Sequence, residues 1–86
     1  MDEVQLMERI TTDPAIYGGK PIVRGRRLAV EHVLRYLAAG MTTEELRADF
    51  PWLEKEDVQA CLTFALRAFQ SVAGEREEPV TLSQAS

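Results

Sequence analysis

At 86 residues the chain has room for one small domain, whose core is modest enough that a second copy is a natural complement. A composition 45% hydrophobic and 28% charged is that of a folded chain and excludes disordered and fibrous classes, while a lone cysteine, Cys61, excludes an intrachain disulfide and the four-ligand zinc patterns. The net charge of −4 taken alone disfavours nucleic acid, but the charge is segregated: residues 20–36 gather Lys20, Arg24, Arg26, Arg27 and Arg35 against Glu31, and acid dominates on either side.

In chain order, residues 1–9 read as weakly helical or irregular. The run Arg9-Ile10-Thr11-Thr12, alternating with β-branched residues, predicts a short strand stopped by Asp13-Pro14. Tyr17-Gly18-Gly19-Lys20-Pro21 reads as a loop. Ile22 to Leu28 reads as a compact hairpin with two short arms about Gly25 and a basic tip. From Val30 the period changes from 2 to 3.6, with Val30, Val33, Leu34, Leu37 and Met41 near one helical face and Gly40 at its end. Thr42-Thr43-Glu44-Glu45 is a capping box that opens a second helix, closed by Pro51. The longest pattern follows, with Val58, Cys61, Leu62, Ala65, Leu66 and Phe69 on one predicted stripe running from about Glu54 to Val72. Residues 74–86 show no periodicity and read as a flexible C-terminal tail.

The expected fold class is therefore mainly α: a short N-terminal β-hairpin followed by a three-helix, helix-turn-helix domain of winged-helix or homeodomain-like type, spanning residues 1–73. Periodicity alone equally describes any small three-helix bundle. No apolar run approaches the roughly 20 residues of a membrane span, and Met1-Asp2-Glu3 is acidic where a secretory signal is basic, so a cytoplasmic location is expected. One histidine, His32, without a second His or Cys near it predicts no metal site, and no nucleophile or acid–base constellation predicts catalysis or a cofactor. Cys61 on the apolar stripe reads as a buried packing group, and Trp52 as an anchor over the junction of the last two helices.

The ordered blocks Ile10-Thr11-Thr12-Asp13-Pro14, Gly18-Gly19-Lys20-Pro21, Val23-Arg24-Gly25-Arg26-Arg27-Leu28, Leu37-Ala38-Ala39-Gly40-Met41-Thr42, Glu44-Glu45-Leu46, Phe50-Pro51-Trp52-Leu53 and Glu56-Asp57-Val58 resemble the bacterial domain of unknown function 433. The resemblance implies a helix-turn-helix antitoxin similar to the VapB class, a homodimer that represses its own operon and neutralises a PIN-like ribonuclease toxin. Two positions depart from the pattern: Ala29 stands where a proline usually sets the helix start, and Glu54 stands where a better capping residue is usual.

Within what the resemblance implies, the residues offer two expectations. In one, Lys20, Arg24, Arg26 and Arg27 neutralise phosphates of double-stranded operator DNA while Lys55, Gln59 and Thr63 on the third helix reach base edges. In the other, the chain is a dimeric protein-interaction module that binds its toxin without DNA, because Glu54, Glu56 and Asp57 at the start of the third helix repel phosphate. Ala60, Phe64 and Ala68 form a second apolar strip suited to a dimer contact, and Val80 and Leu82 of the tail are suited to a partner's groove. No membrane or small-molecule substrate is expected.

Overall fold

The computed structural model describes residues 1–73; Val80, Leu82 and the expected tail lie outside them. The described residues are mainly helical, with four α-helices and one short antiparallel strand pair. Asp2 starts α1 (Glu3–Met7): its carboxylate accepts from the Gln5 amide at 2.8 Å while the Gln5 side chain takes the Asp2 amide proton at 3.1 Å. Five residues do not hold a helix alone, so α1 depends on packing, and it buries Leu6 and lies against α4.

Strands β1 (Ile10–Thr11) and β2 (Ile22–Val23) pair with Ile10 opposite Val23 and Thr11 opposite Ile22. This corrects the expected hairpin about Gly25. Its first arm pairs with the N-terminal strand, and its second arm adds only an isolated bridge between Ile22 and Ala29. The segment between is too tight for a ladder of its own: Arg26 N–H donates to the Val23 carbonyl at 2.8 Å and Val23 N–H to the Leu28 carbonyl at 3.0 Å. The expected loop at Tyr17–Gly19 closes into one 3-10 turn, with Gly18 at φ 64°.

The three remaining helices stand where the 3.6-residue period places them: α2 (Val30–Ala38), α3 (Thr43–Asp49) and α4 (Lys55–Val72). Without a proline or polar cap at its start, α2 is capped from within, as His32 Nδ1 accepts the Ala29 amide proton at 3.2 Å. Gly40, at φ 101°, reverses the chain after α2. Thr42 and Glu45 then make both halves of the expected capping box, at 3.1 and 2.8 Å. Val23, Leu28, Val30, Val33, Leu46, Leu53, Val58 and Cys61 form the main core, with Trp52 and Phe64 packed at its edge.

Candidate functional site

Two surfaces meet along α4: a basic turn held at its N-terminus, and an uncharged flank along its second half. The turn is held by one carboxylate. Asp57, in the first turn of α4, is fully buried and accepts four hydrogen bonds. Arg24 reaches it as a fork, Nε to Oδ1 at 2.9 Å and Nη2 to Oδ2 at 2.7 Å. Arg9 Nη1 adds a bond of 2.8 Å to Oδ1, and the Glu54 amide donates to Oδ2 at 2.8 Å. Arg24 Nη2 also donates to the Trp52 carbonyl at 2.9 Å. Burial by itself pushes the Asp57 carboxyl up; the Arg24 fork, the Glu54 amide and Arg9 outweigh it and hold the group below the usual carboxylate range.

This corrects two expectations. Arg24, read as a phosphate contact, is an internal partner of Asp57, and it sits at φ 45°, in the left-handed region, with its guanidinium turned inward. Asp57, read as an exposed acid that repels phosphate, carries no outward charge. Lys20 is exposed and pairs with Glu31 at 2.9 Å, the main cause of that carboxylate's lowered pKa. Arg26 lies over the Trp52 ring, 4.7 Å from its centroid, and Arg27 is exposed. Among the described residues neither of these two pairs with a carboxylate. On α4, Lys55 and Gln59 are exposed and Thr63 is half-buried.

The flank of α4 also differs from expectation. Asp57, Ala60, Cys61 and Phe64, spaced i, i+3, i+4 and i+7, face inward. Ala60 is wholly buried and Phe64 packs on the core, so neither is an outward dimer contact; Ala68 alone of that strip is exposed. The reason is that α1 and β1 cover this side of the helix. The expected stripe is instead split: Val58 and Cys61 are buried, whereas Leu62, Leu66 and Phe69 are 50, 55 and 64% exposed, and Val72 beyond them 89%. Burial, with a contribution from Asp57, pushes the Cys61 thiol up to about 12, leaving a neutral packing group.

The sequence offers Arg9 as the first residue of the expected strand and not as a site residue; its one signal is its place on the segment that pairs with the basic turn. Among the described residues no group of three His, Cys, Asp or Glu side chains gathers to hold a metal, and no helix is long and apolar enough to cross a membrane.

A family model described as a protein of unknown function (DUF433) matches residues 10–65. An uncharacterized protein of Sinorhizobium fredii, y4eO, is 35% identical over 75 residues, covering 83% of this chain; the chain spans about a third, 34%, of that relative's length. The crystal structure of a DUF433 member protein from Anabaena variabilis superposes with a TM-score of 0.68 at 27% identity, covering 84% of this chain and 72% of that one.

Proposed function

This chain belongs to the DUF433 family, of unknown function, and we propose that it acts as a protein-interaction module of the antitoxin type, docking a partner protein on the outer face of α4. The observation that carries this reading is the row Leu62, Leu66 and Phe69. These three share one helical face at i, i+4 and i+7, and Arg67 is the only charged residue between Val58 and Ala73 in a chain otherwise rich in charge. Solvent-facing helix surfaces normally carry charge; an apolar row of this length marks an interaction site. In this reading the partner is a PIN-like ribonuclease toxin, as the resemblance drawn from the sequence blocks implies, and α2, α3 and α4 take a winged-helix or homeodomain-like arrangement. The chain contributes no catalytic chemistry in this reading and works in the cytoplasm.

Co-expression with the product of the neighbouring gene tests the reading. The wild-type chain is expected to co-purify with that product, and Leu62→Arg with Leu66→Arg to lose it while keeping its helical circular dichroism. Capture that survives both substitutions would remove α4 from the role.

A second reading, autorepression through operator DNA, rests on Arg26 and Arg27, two exposed cations on a turn that the Asp57 network fixes in place. Each phosphate neutralised adds about −0.9 to the slope of log affinity against log salt. In a gel-shift titration against the upstream promoter, Arg26→Ala with Arg27→Ala is expected to flatten that slope by about 2 per protomer. A wild-type chain with no salt-sensitive shift discards this reading and leaves the module. Arg24→Ala is uninformative here, since it acts on the fold.

A further inference from the structure

The inward face of α4, set by Asp57, Ala60, Cys61 and Phe64, continues one turn further to Ala68, and there the packing runs out. A cavity of about 460 Å³ opens beside Phe64 and Ala68, walled by Met7 of α1, Ile10 of β1 and Pro21. A second, of about 270 Å³, shares Pro21, Phe64 and Ala68 with it and reaches Leu34 of α2. The two join into one apolar trough, and the larger alone lies within the ~300–1,000 Å³ typical of small-molecule sites. Its walls come from separate segments of the chain, so no motif in the sequence marks it.

Only two polar side chains border the larger cavity, Thr12 and Arg67. Arg67 is also the one charged side chain in the second half of α4. Its guanidinium carries five N–H donors, and its carboxylate partner among the described residues is Glu3, at 3.2 Å, with the two side chains 55 and 59% exposed. A pair this open to water is weak, so an incoming carboxylate displaces Glu3 easily. The acid that borders the smaller cavity is Glu31, already engaged by Lys20 and Arg35.

We infer that the trough binds a linear, medium-chain carboxylate, with its head group on Arg67 in place of Glu3 and its chain laid across Phe64 and Ala68 toward Leu34. Charge complementarity favours this occupant. A single cation at the edge of an apolar trough matches a monoanion with an apolar body, and a guanidinium can fork two parallel hydrogen bonds to a carboxylate. A dianionic phosphate monoester would leave one charge unmatched beside Glu3. Glu31 repels an anion at the other end and so fixes the direction in which the ligand lies. The site does not depend on the docking row, because the spacing of Leu62, Leu66 and Phe69 turns them to another side of α4.

Isothermal titration of the full chain with sodium octanoate tests this. One saturable site per chain is expected, with a Kd on the order of 0.1 mM for a ligand of this size. Acetate, which has the charge without the chain, and 1-octanol, which has the chain without the charge, are each expected to bind at least about tenfold more weakly. Arg67→Gln is expected to weaken octanoate by about the same factor. Ala68→Phe, which fills the trough from an exposed helical position, is expected to abolish saturation, and both variants should keep the wild-type circular dichroism. Glu3→Gln removes the competing carboxylate and is expected to tighten binding by up to about fivefold. A wild type that octanoate does not saturate overturns the inference. So does an affinity that Arg67→Gln leaves unchanged or that 1-octanol equals, since apolar surface would then be acting alone. A chain that refuses octanoate but self-associates in sedimentation equilibrium, and loses that association on Ala68→Arg, also overturns it by giving the trough to a second copy.

Discussion

Replacing Asp57 by alanine is expected to lower the free energy of unfolding by about 3 kcal/mol, the lower end of the cost of removing one partner from a buried ion pair. The lower end applies because Arg9 and Arg24 keep some contact with water, at 18 and 32% side-chain exposure. The substitution leaves two guanidinium groups facing each other without the anion between them, and it frees the Glu54 amide at the start of α4. A domain of this size has about 5–15 kcal/mol in total, so the effect is read directly from the midpoint of a urea titration. Glu54→Gln serves as the control, because that carboxylate is half exposed and its bond to Arg9 contributes under about 1 kcal/mol. Equal effects of the two changes would contradict the role of Asp57 as the shared partner of Arg9 and Arg24.

Asp57 also sets an acid limit. Its folded pKa lies below the ordinary value of about 3.9, so its contribution is complete above that value and is lost as pH falls through the folded pKa. The stability difference between wild type and Asp57→Asn is therefore expected to stay flat from neutral pH down to about pH 5 and to shrink below about pH 4. A difference that grows on acidification would mean that the carboxylate is neutral in the native fold.

Leu46→Ala carries the second large effect. Leu46 is fully buried and is the one buried residue of α3, whose seven residues would not stay helical unaided. Truncation removes α3's hold on the core formed with Val33, Leu53 and Val58, and it leaves a cavity that short, capped elements are poorly able to collapse. The expected cost is about 3 kcal/mol, equivalent to a fall of roughly 12–24 °C in Tm for a domain of this size. Hydrogen exchange should show α3 amides losing protection well before those of α4. Uniform loss along the chain would mean that α3 is not a separate dependent of this one side chain.

The helices were legible because their signals are local. Gly40, the Thr42–Glu45 box and Pro51 each act within a few residues, and all three boundaries fall where they direct. The rotation of α4 was not legible. Counting apolar residues favours the stripe through Leu62, Leu66 and Phe69, whereas the face that turns inward carries Asp57 and the small Ala60. Nothing in the spacing reveals that a charged residue is inside until its partners are known, and those partners, Arg9 and Arg24, are distant in sequence. The same distance hid the fate of the basic cluster. Lys20, Arg24, Arg26 and Arg27 look alike as a run of cations, yet the fold directs Arg24 to a carboxylate, rests Arg26 on Trp52 and leaves Arg27 to water. Strand pairing failed for a related reason: Gly25 marks a turn, but a turn does not say whether its first arm prefers the second arm or an earlier strand.

Joining positions 9, 24 and 57 at a single carboxylate also imposes an order on biosynthesis. Both arginines leave the ribosome well before the aspartate that neutralises them, across separations of 48 and 33 residues. The nascent segment that carries them thus emerges with its cations hydrated and its short strands unsupported, and it acquires native geometry only when α4 has been translated.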